Sequence, residues 1–160
     1  MPTEERTPVE TLEGDNLPAV RQVSVFLENR CGQLLRLAQA IEDKDIRIVA
    51  LSIVESADFA VVRLMFDRVD DAAVALREEG FTISIKELVV VVLPPGKRGL
   101  LSVWSRLLSS EINVAYCYPL MPLKIGPALA LSVDNLEIAI DTLERNNFTI
   151  LSEADLQREE

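Results

Sequence analysis

The sequence predicts an α+β fold made of two βαββαβ modules, each an antiparallel sheet with its helices on one face. The first observation is a repeat, because Gly32 and Phe81 in one copy correspond at the same offset to Gly99 and Phe148 in the other. A constant offset of this kind indicates a duplicated unit. The second observation is that short apolar runs and amphipathic stretches alternate in the same order in both copies. Right-handed crossovers then place both helices of a unit on one side of its sheet.

The first copy supplies four strands and two helices. Apolar residues at helical spacing predict a first helix that begins just after Gly32. Asp67 is predicted to cap the second helix, and Gly80 lies where a left-handed residue would end it. The predicted strands are 23–27, 46–54, 59–66 and 81–86.

The second copy repeats this order after a very short connection at Lys86-Glu87. Asp134, with Glu137 three residues later, resembles a capping pair, and Asn146-Asn147 replaces Gly80 as the helix stop. The remaining predicted strands are 88–93, 112–118, 128–133 and a final one near 148–150.

The predicted domain organisation follows from this repeat. Residues 1–20 form an acidic tail expected to be disordered, 21–86 the first module, 87–152 the second and 153–160 a C-terminal tail. The chain has 160 residues, 49% of them hydrophobic, and a mean hydropathy of +0.20. That is enough apolar surface for a full core and an oligomer interface, so we expect a homodimer.

Charge and cysteine content exclude several classes of protein. The formal net charge of −10 disfavours nucleic-acid and anionic-membrane partners, which require clustered Lys and Arg. The longest apolar run, 88–93, is too short to span a bilayer, and the polar N-terminus does not resemble a signal peptide. Two cysteines without a CxxC pattern argue against a disulfide scaffold or zinc site. We therefore expect a cytoplasmic protein.

Residues 28–35 (ENRCGQLL), with 46–48 (IRI) and 51–52 (LS), resemble the ACT domain, the amino-acid-sensing module of metabolic enzymes and regulators. Among ACT proteins, this stretch is most similar to the regulatory subunit of acetolactate synthase, which has a similar ENxxG turn. The second copy shows the same outline in 98–101 (RGLL) and 112–114 (INV). The resemblance implies ferredoxin-like modules paired side by side, with an amino acid bound near the strand-to-helix turn at their junction.

Applied residue by residue, the resemblance gives a set of ligand-binding candidates. They are Asn29, Arg30, Cys31, Gly32, Gln33, Leu34, Arg47, Arg98, Gly99, Leu100 and Asn113. No catalytic residue, metal ligand or cofactor is predicted. The identity of the amino acid is not encoded in these motifs, and branched-chain amino acids come first only by resemblance.

The chemistry of the turn supports these candidates independently. A glycine permits close approach to a ligand, and the free N–H groups of the following helix favour a carboxylate, so Gly32 and Gly99 are the best-placed binders. Asn29 can both donate and accept, so it could contact the carboxylate and the ammonium group. The alternative interpretation is structural: both glycines would form tight turns with positive φ, Asn29 would be a turn residue and Asn113 the polar start of a strand.

The two copies differ in complementary ways. The position that matches Asn29 is Gly96 in the second copy, and the position that matches Asn113 is Arg47 in the first. Since the family's site combines the turn of one module with the asparagine of its partner, Asn29, Gly32 and Asn113 could form one complete cleft. We therefore predict one better site and one degenerate or differently selective site.

No catalytic apparatus is evident. The chain contains no histidine, and the GxGxxG, P-loop and GxSxG patterns are absent. Cys31 beside a helix start could carry a reactive thiol, but without a histidine to activate it a small turn residue is the better interpretation.

Five functional interpretations remain, led by a stand-alone tandem sensor that binds an amino acid and signals to a metabolic enzyme. The runner-up is a regulatory subunit of acetolactate synthase or a related biosynthetic enzyme. An RNA-binding module shares the topology, but residues 59–66 lack stacking aromatics beside basic residues and the charge has the wrong sign. An enzyme of unrecognised type and a purely structural interaction protein complete the set.

Overall fold

The structure, a computed structural model, describes residues 17–28 and 30–159. Its strands are β1 (Val20–Glu28), β2 (Ile48–Glu55), β3 (Phe59–Phe66), β4 (Thr82–Val92), β5 (Val114–Pro119), β6 (Ala128–Val133) and β7 (Ile150–Leu151). Its helices are α1 (Gln33–Glu42), α2 (Val69–Glu78), α3 (Gly99–Ser109), α4 (Leu136–Arg145) and α5 (Glu153–Gln157). The order βαββαβ occurs twice, which confirms the predicted fold class.

One strand, β4, belongs to both modules. The sheet order is β2-β3-β1-β4-β6-β5, and β7 also pairs with β4. β1 pairs with β4 as far as Leu88, and β6 takes over from Val89. The connection predicted at 86–87 therefore lies inside a continuous strand, and the change of partner comes two residues later. The division of the chain into two domains at that point stays a prediction.

The sheet curls so that its helix-free sides pack against each other. Along β4, Val89 and Val91 face α3 and α4, whereas Leu88 and Val90 face the opposite side, here called the inner face. The two edge strands meet there through a bridge between Ala50 of β2 and Leu120 of β5. The four helices α1 to α4 thus cover the outside of one curled sheet, whereas α5 contributes Leu156 to the inner face.

Three buried clusters follow from this arrangement. One packs α1 and α2 on the first module, and one packs α3 and α4 on the second. The third fills the inner face with residues from both modules, listed as Val20, Val49, Ala50, Met65, Leu88, Val90, Tyr118, Leu120, Ala128, Ala130, Leu151 and Leu156. Each module therefore depends on the other for part of its core, as expected for half-domains near the lower size limit for independent stability.

The aspartates predicted to cap α2 and α4 do something else. The Asp67 carboxylate accepts a hydrogen bond from the backbone N–H of Arg47 (2.7 Å), and the Asp134 carboxylate accepts the equivalent bond from Asn113 (3.1 Å). α2 has no side-chain cap, and α4 is capped by Asn135 instead. Both capping predictions were wrong, because each aspartate joins the end of one strand to the start of its neighbour.

The predicted helix stops are confirmed. Gly80 has φ of 83°, and Asn147 takes the same left-handed conformation with φ of 66° after α4. In both modules the chain then turns back, since the N–H of Phe81 bonds to Leu76 O and the N–H of Phe148 to Leu143 O. The two copies therefore end their second helices in the same way.

Residues near both ends of the described chain pack against the core. The expected acidic tail lies mostly outside the described residues, but Leu17 packs against the second module's core and Val20 already belongs to β1. The predicted C-terminal tail contains α5, which starts with a Ser152–Asp155 capping box and buries Leu156 completely. The pattern S-x-x-D in 152–155 is a helix-start signal that the sequence interpretation missed.

One arginine links α5 to the first module. The Arg21 guanidinium donates hydrogen bonds to Glu153 (2.9 Å) and to Asp70 at the start of α2 (2.7 Å). The bond from Arg21 lowers the pKa of Asp70. This bridge fixes α5 beside both modules.

Candidate functional site

The turn before α1 has the geometry expected of a carboxylate cradle. Gly32 takes φ of 86°, and a Cβ placed on it would meet no atom within 4 Å. No side chain among residues 17–28 and 30–159 caps α1 through the N–H groups of its first turn. Leu34 and Leu35, which carry those groups, are exposed. A helix start of this kind offers backbone donors and a favourable dipole to an anion.

The other candidates of this turn differ in their availability. Arg30 is exposed and pairs with Glu28 (2.7 Å between Nε and a carboxylate oxygen), so its charge is already matched. The Cys31 thiol is free and exposed, and Gln33 is half-buried. Asn29 lies outside the described residues. The Gly32 turn thus supplies backbone donors, and the role predicted for Asn29 stays a prediction.

Gly99 serves a different purpose from Gly32. It is buried, and its φ is not positive, so the interpretation as a left-handed turn was wrong here. A Cβ added at this position would lie 2.5 Å from the carbonyl oxygen of Pro94. Only glycine, which has no Cβ, fits here without a clash. The backbone of the loop therefore packs closely against the Cα of Gly99, while Arg98 and Leu100 are exposed.

The two glycine turns do not meet within one chain. The turn at Gly32 follows the end of β1, where Phe26 pairs with Thr82 at the start of β4. The turn at Gly99 follows Val92 at the other end of the same strand. At about 3.3 Å per residue, the ends of β4 are about 33 Å apart. The two turns therefore do not form a common cleft within one chain, because the modules share a strand lengthwise.

Asn113 and Arg47 occupy equivalent places, as the repeat predicted. Each backbone N–H is bound by the aspartate of the adjoining strand, and both side chains are exposed. The Arg47 guanidinium donates to the carbonyl of Leu156 (3.4 Å), so it holds α5. Asn113 lies directly before β5, and β6 and β4 lie between this strand and β1 along the sheet.

An open groove lies beside the Gly99 turn. Its volume is about 460 Å³, and Arg98, Arg106 and Phe148 are among the residues that line it. Arg98 makes no ion pair in the part of the chain described here. In the second module, Arg98 thus lines a groove beside the helix start. In the first module, Arg30 is paired with Glu28 instead.

The sequence interpretation missed a polar cluster on the inner face. Gln22, 1% exposed, donates from Nε2 to the Tyr116 hydroxyl (2.9 Å) and accepts at Oε1 from the Tyr118 hydroxyl (2.6 Å). Burial raises the pKa of Tyr118. Lys86 donates to the buried Ser132 hydroxyl (2.7 Å). The alternation of Gln22 with apolar neighbours in β1 was the available signal, since it placed a polar side chain on the face opposite the helices.

Two further features bear on chemistry. Among residues 17–28 and 30–159, no group of His, Cys, Asp and Glu side chains is arranged to hold a metal ion. Within the same ranges no helix is both long and apolar enough to cross a bilayer.

Comparison with protein families identifies a match over most of the chain. The family described as "ACT domain pair" matches residues 18–159, nearly the whole chain. A comparison with curated proteins finds no match.

Solved structures share the fold. Protein BT0572 from Bacteroides thetaiotaomicron is 26% identical with a TM-score of 0.81, over 88% of this chain and 97% of that one. The ligand-free regulatory subunit of aspartate kinase from Thermus thermophilus is 12% identical with a TM-score of 0.56, over 81% and 93%. A structure of aspartokinase alpha and beta subunits is 13% identical with a TM-score of 0.51, over 78% and 90%.

Proposed function

Because the chain belongs to the ACT domain pair family, we propose that it is a non-catalytic regulatory protein that binds a free amino acid at the Gly32 turn. The observation that carries this proposal is the open, uncapped start of α1 behind a left-handed glycine. The α-carboxylate binds the backbone N–H groups of Leu34 and Leu35, where the helix dipole favours negative charge.

The same observation supports the asymmetry between the modules. At Gly32 the space beside the helix start is open, whereas at Gly99 the carbonyl of Pro94 occupies it. The first module therefore holds the better amino-acid site, and the second is degenerate.

The site is completed by a second copy of the chain. Asn113 is exposed, and two strands lie between β5 and β1 along the sheet of its own chain, so we infer that another copy brings it to the Gly32 turn. Exposed apolar residues on α1 and α3, among them Leu35, Leu101 and Leu108, supply surface for such a homodimer.

The bound amino acid regulates an enzyme of amino-acid metabolism. One solved structure with this fold is named as a regulatory subunit of aspartate kinase, which favours a regulatory partner of a biosynthetic enzyme. The alternative, a regulatory subunit of acetolactate synthase or a related enzyme, is distinguished from a stand-alone sensor by purification from native extract. A stably co-purifying catalytic subunit supports the alternative.

A thermal-shift screen with the twenty amino acids tests the proposal. A ligand at a hundred times its Kd adds about 2.7 kcal/mol of stability, which raises the melting temperature measurably. Gly32→Ala should weaken the response to the best ligand. Gly96→Ala is the matched control, because Gly96 also has positive φ (103°) and open space around its Cβ. A flat screen, or an equal loss of response in both variants, contradicts the proposal.

A further inference from the structure

Two cations meet on one tyrosine ring at the inner face. The Arg63 guanidinium carbon lies 3.6 Å from the centre of the Tyr116 ring, and Lys86 Nζ lies 5.7 Å from it. Arg63 comes from β3 and Lys86 from β4 of the first module, whereas Tyr116 comes from β5 of the second. The three side chains therefore converge where the two modules face each other.

Within the part of the chain that the structure describes, neither cation has an acidic partner. The ion pairs among residues 17–28 and 30–159 do not include Arg63 or Lys86, although the chain carries a net charge of −10. Among the described residues, the two converging cations therefore lie without a carboxylate paired to either of them. An incoming anion would supply the missing charge.

The cations are held in place by buried groups. Lys86 Nζ donates to Ser132, which is fully buried, and the Tyr116 hydroxyl accepts from the buried Gln22. Tyr116 and Tyr118 also stack, with ring centres 6.4 Å apart. Because these contacts fix Tyr116 and Lys86, little side-chain entropy is lost when an anion binds.

An uncovered apolar row lies next to the cations on the same face. Val61 pairs with Phe26 on one side and with Val54 on the other. Phe26 is 43% exposed and Val54 is 46% exposed, because the second module covers the inner face only near the other end of β4. The next row along the same strands contains Ser52, Arg63 and Ser24. The surface thus changes from charged to apolar within two residues.

We propose that this surface binds a small carboxylic acid with an apolar body and no ammonium group. The carboxylate lies between Arg63 and Lys86, and the hydrocarbon lies on the row formed by Val54, Val61 and Phe26. An α-amino acid fits poorly, since its ammonium group would lie beside two cations that lack an acidic neighbour. This site is separate from the Gly32 turn and does not depend on the amino-acid proposal.

Titration calorimetry of the full chain with three probes tests this inference. Isocaproate carries the carboxylate and a branched tail, leucine adds only the ammonium group, and isocaproamide lacks the charge. We expect isocaproate to bind at least about tenfold more tightly than isocaproamide, as for a charge-assisted contact. Arg63→Gln and Lys86→Gln should each weaken isocaproate binding by about tenfold, and the matched control Arg106→Gln should leave it unchanged.

The outcomes separate this site from the one at Gly32. Leucine binding that is lost in Gly32→Ala but kept in Arg63→Gln is assigned to the turn. Isocaproate binding that is kept in Gly32→Ala but lost in Arg63→Gln supports the separate carboxylate site. Equal binding of isocaproate and isocaproamide overturns the proposal. So does an absence of isocaproate binding, or isocaproate binding that survives Arg63→Gln in a variant with an unchanged far-UV spectrum.

Discussion

At the scale of single residues, the two corresponding glycines show how a duplicated position can acquire two roles. Gly32 is required for its backbone conformation, and Gly99 is required for the space beside Pro94. A sequence repeat identifies both positions but not this difference, since the conformation of a loop depends on the chain packed against it. The prolines at 94 and 95 were the only local hint.

Alanine substitutions should therefore have unequal costs. Gly32→Ala puts a Cβ into open space with positive φ and should cost about 1 to 2 kcal/mol of unfolding free energy. Gly99→Ala forces the Pro94 carbonyl away from a position 2.5 Å from the new Cβ, and it should cost more. Urea denaturation of the two variants measures the difference. Equal costs would contradict the assignment of separate roles.

At the same scale, Asp67 and Asp134 show a limit of sequence interpretation. An aspartate before a helical stripe resembles an N-cap, yet each carboxylate binds the N–H of a residue about twenty positions earlier in the chain. A local sequence pattern can identify a residue type that favours helix capping. It contains no information about which distant strand will pack beside that residue. The capping prediction was wrong in both copies for the same reason, because both aspartates make the same contact with a backbone N–H group.

At the scale of elements, most strands and helices follow from periodicity. β3 and β6 have the bounds predicted from their apolar runs, and α1 begins directly after Gly32. α5 was missed because it is only five residues long and has a single buried apolar residue, Leu156. A short helix of this kind is stabilised by its docking site, which the sequence does not reveal.

Leu156 should carry most of the stability that α5 contributes. It is fully buried in the inner cluster, so Leu156→Ala should cost about 2 to 5 kcal/mol by cavity formation. Gln157→Ala, at an exposed position on the same helix, is the control and should change little. Chemical denaturation gives both values. A cost below that of the control would show that α5 does not seal the inner face.

At the scale of the whole molecule, the shared strand joins the two copies into one cooperative unit. The repeat predicted two modules held closely together, and the structure joins them through β4 without a linker. The sequence could not predict how the sheet curls, because both inner and outer residues of β4 are apolar near Leu88–Val91. The polar inner-face cluster depends on that curl, so it was also missed.

Unfolding should therefore spread from either module to the other. Trp104, the lone tryptophan, lies in the second module and reports on it by fluorescence. Leu64→Ala in the first module removes a buried side chain far from Trp104 and should lower the fluorescence midpoint by as much as the far-UV midpoint. The matched substitution in the second copy, Leu131→Ala, should behave alike. If Leu64→Ala left the midpoint of the Trp104 fluorescence transition unchanged, the two modules would unfold independently.

The continuous course of β4 has a consequence for changes in chain length. Side chains alternate along this strand from one module into the next, so Lys86 and Val90 point the same way although they belong to different halves. Deletion of one residue between them would move every later side chain of β4 to the opposite face of the sheet. Apolar side chains of the second half would then be exposed, and polar ones would be buried. Loss of two residues would keep the parity. We therefore expect insertions and deletions at this junction to preserve the fold only when they contain an even number of residues.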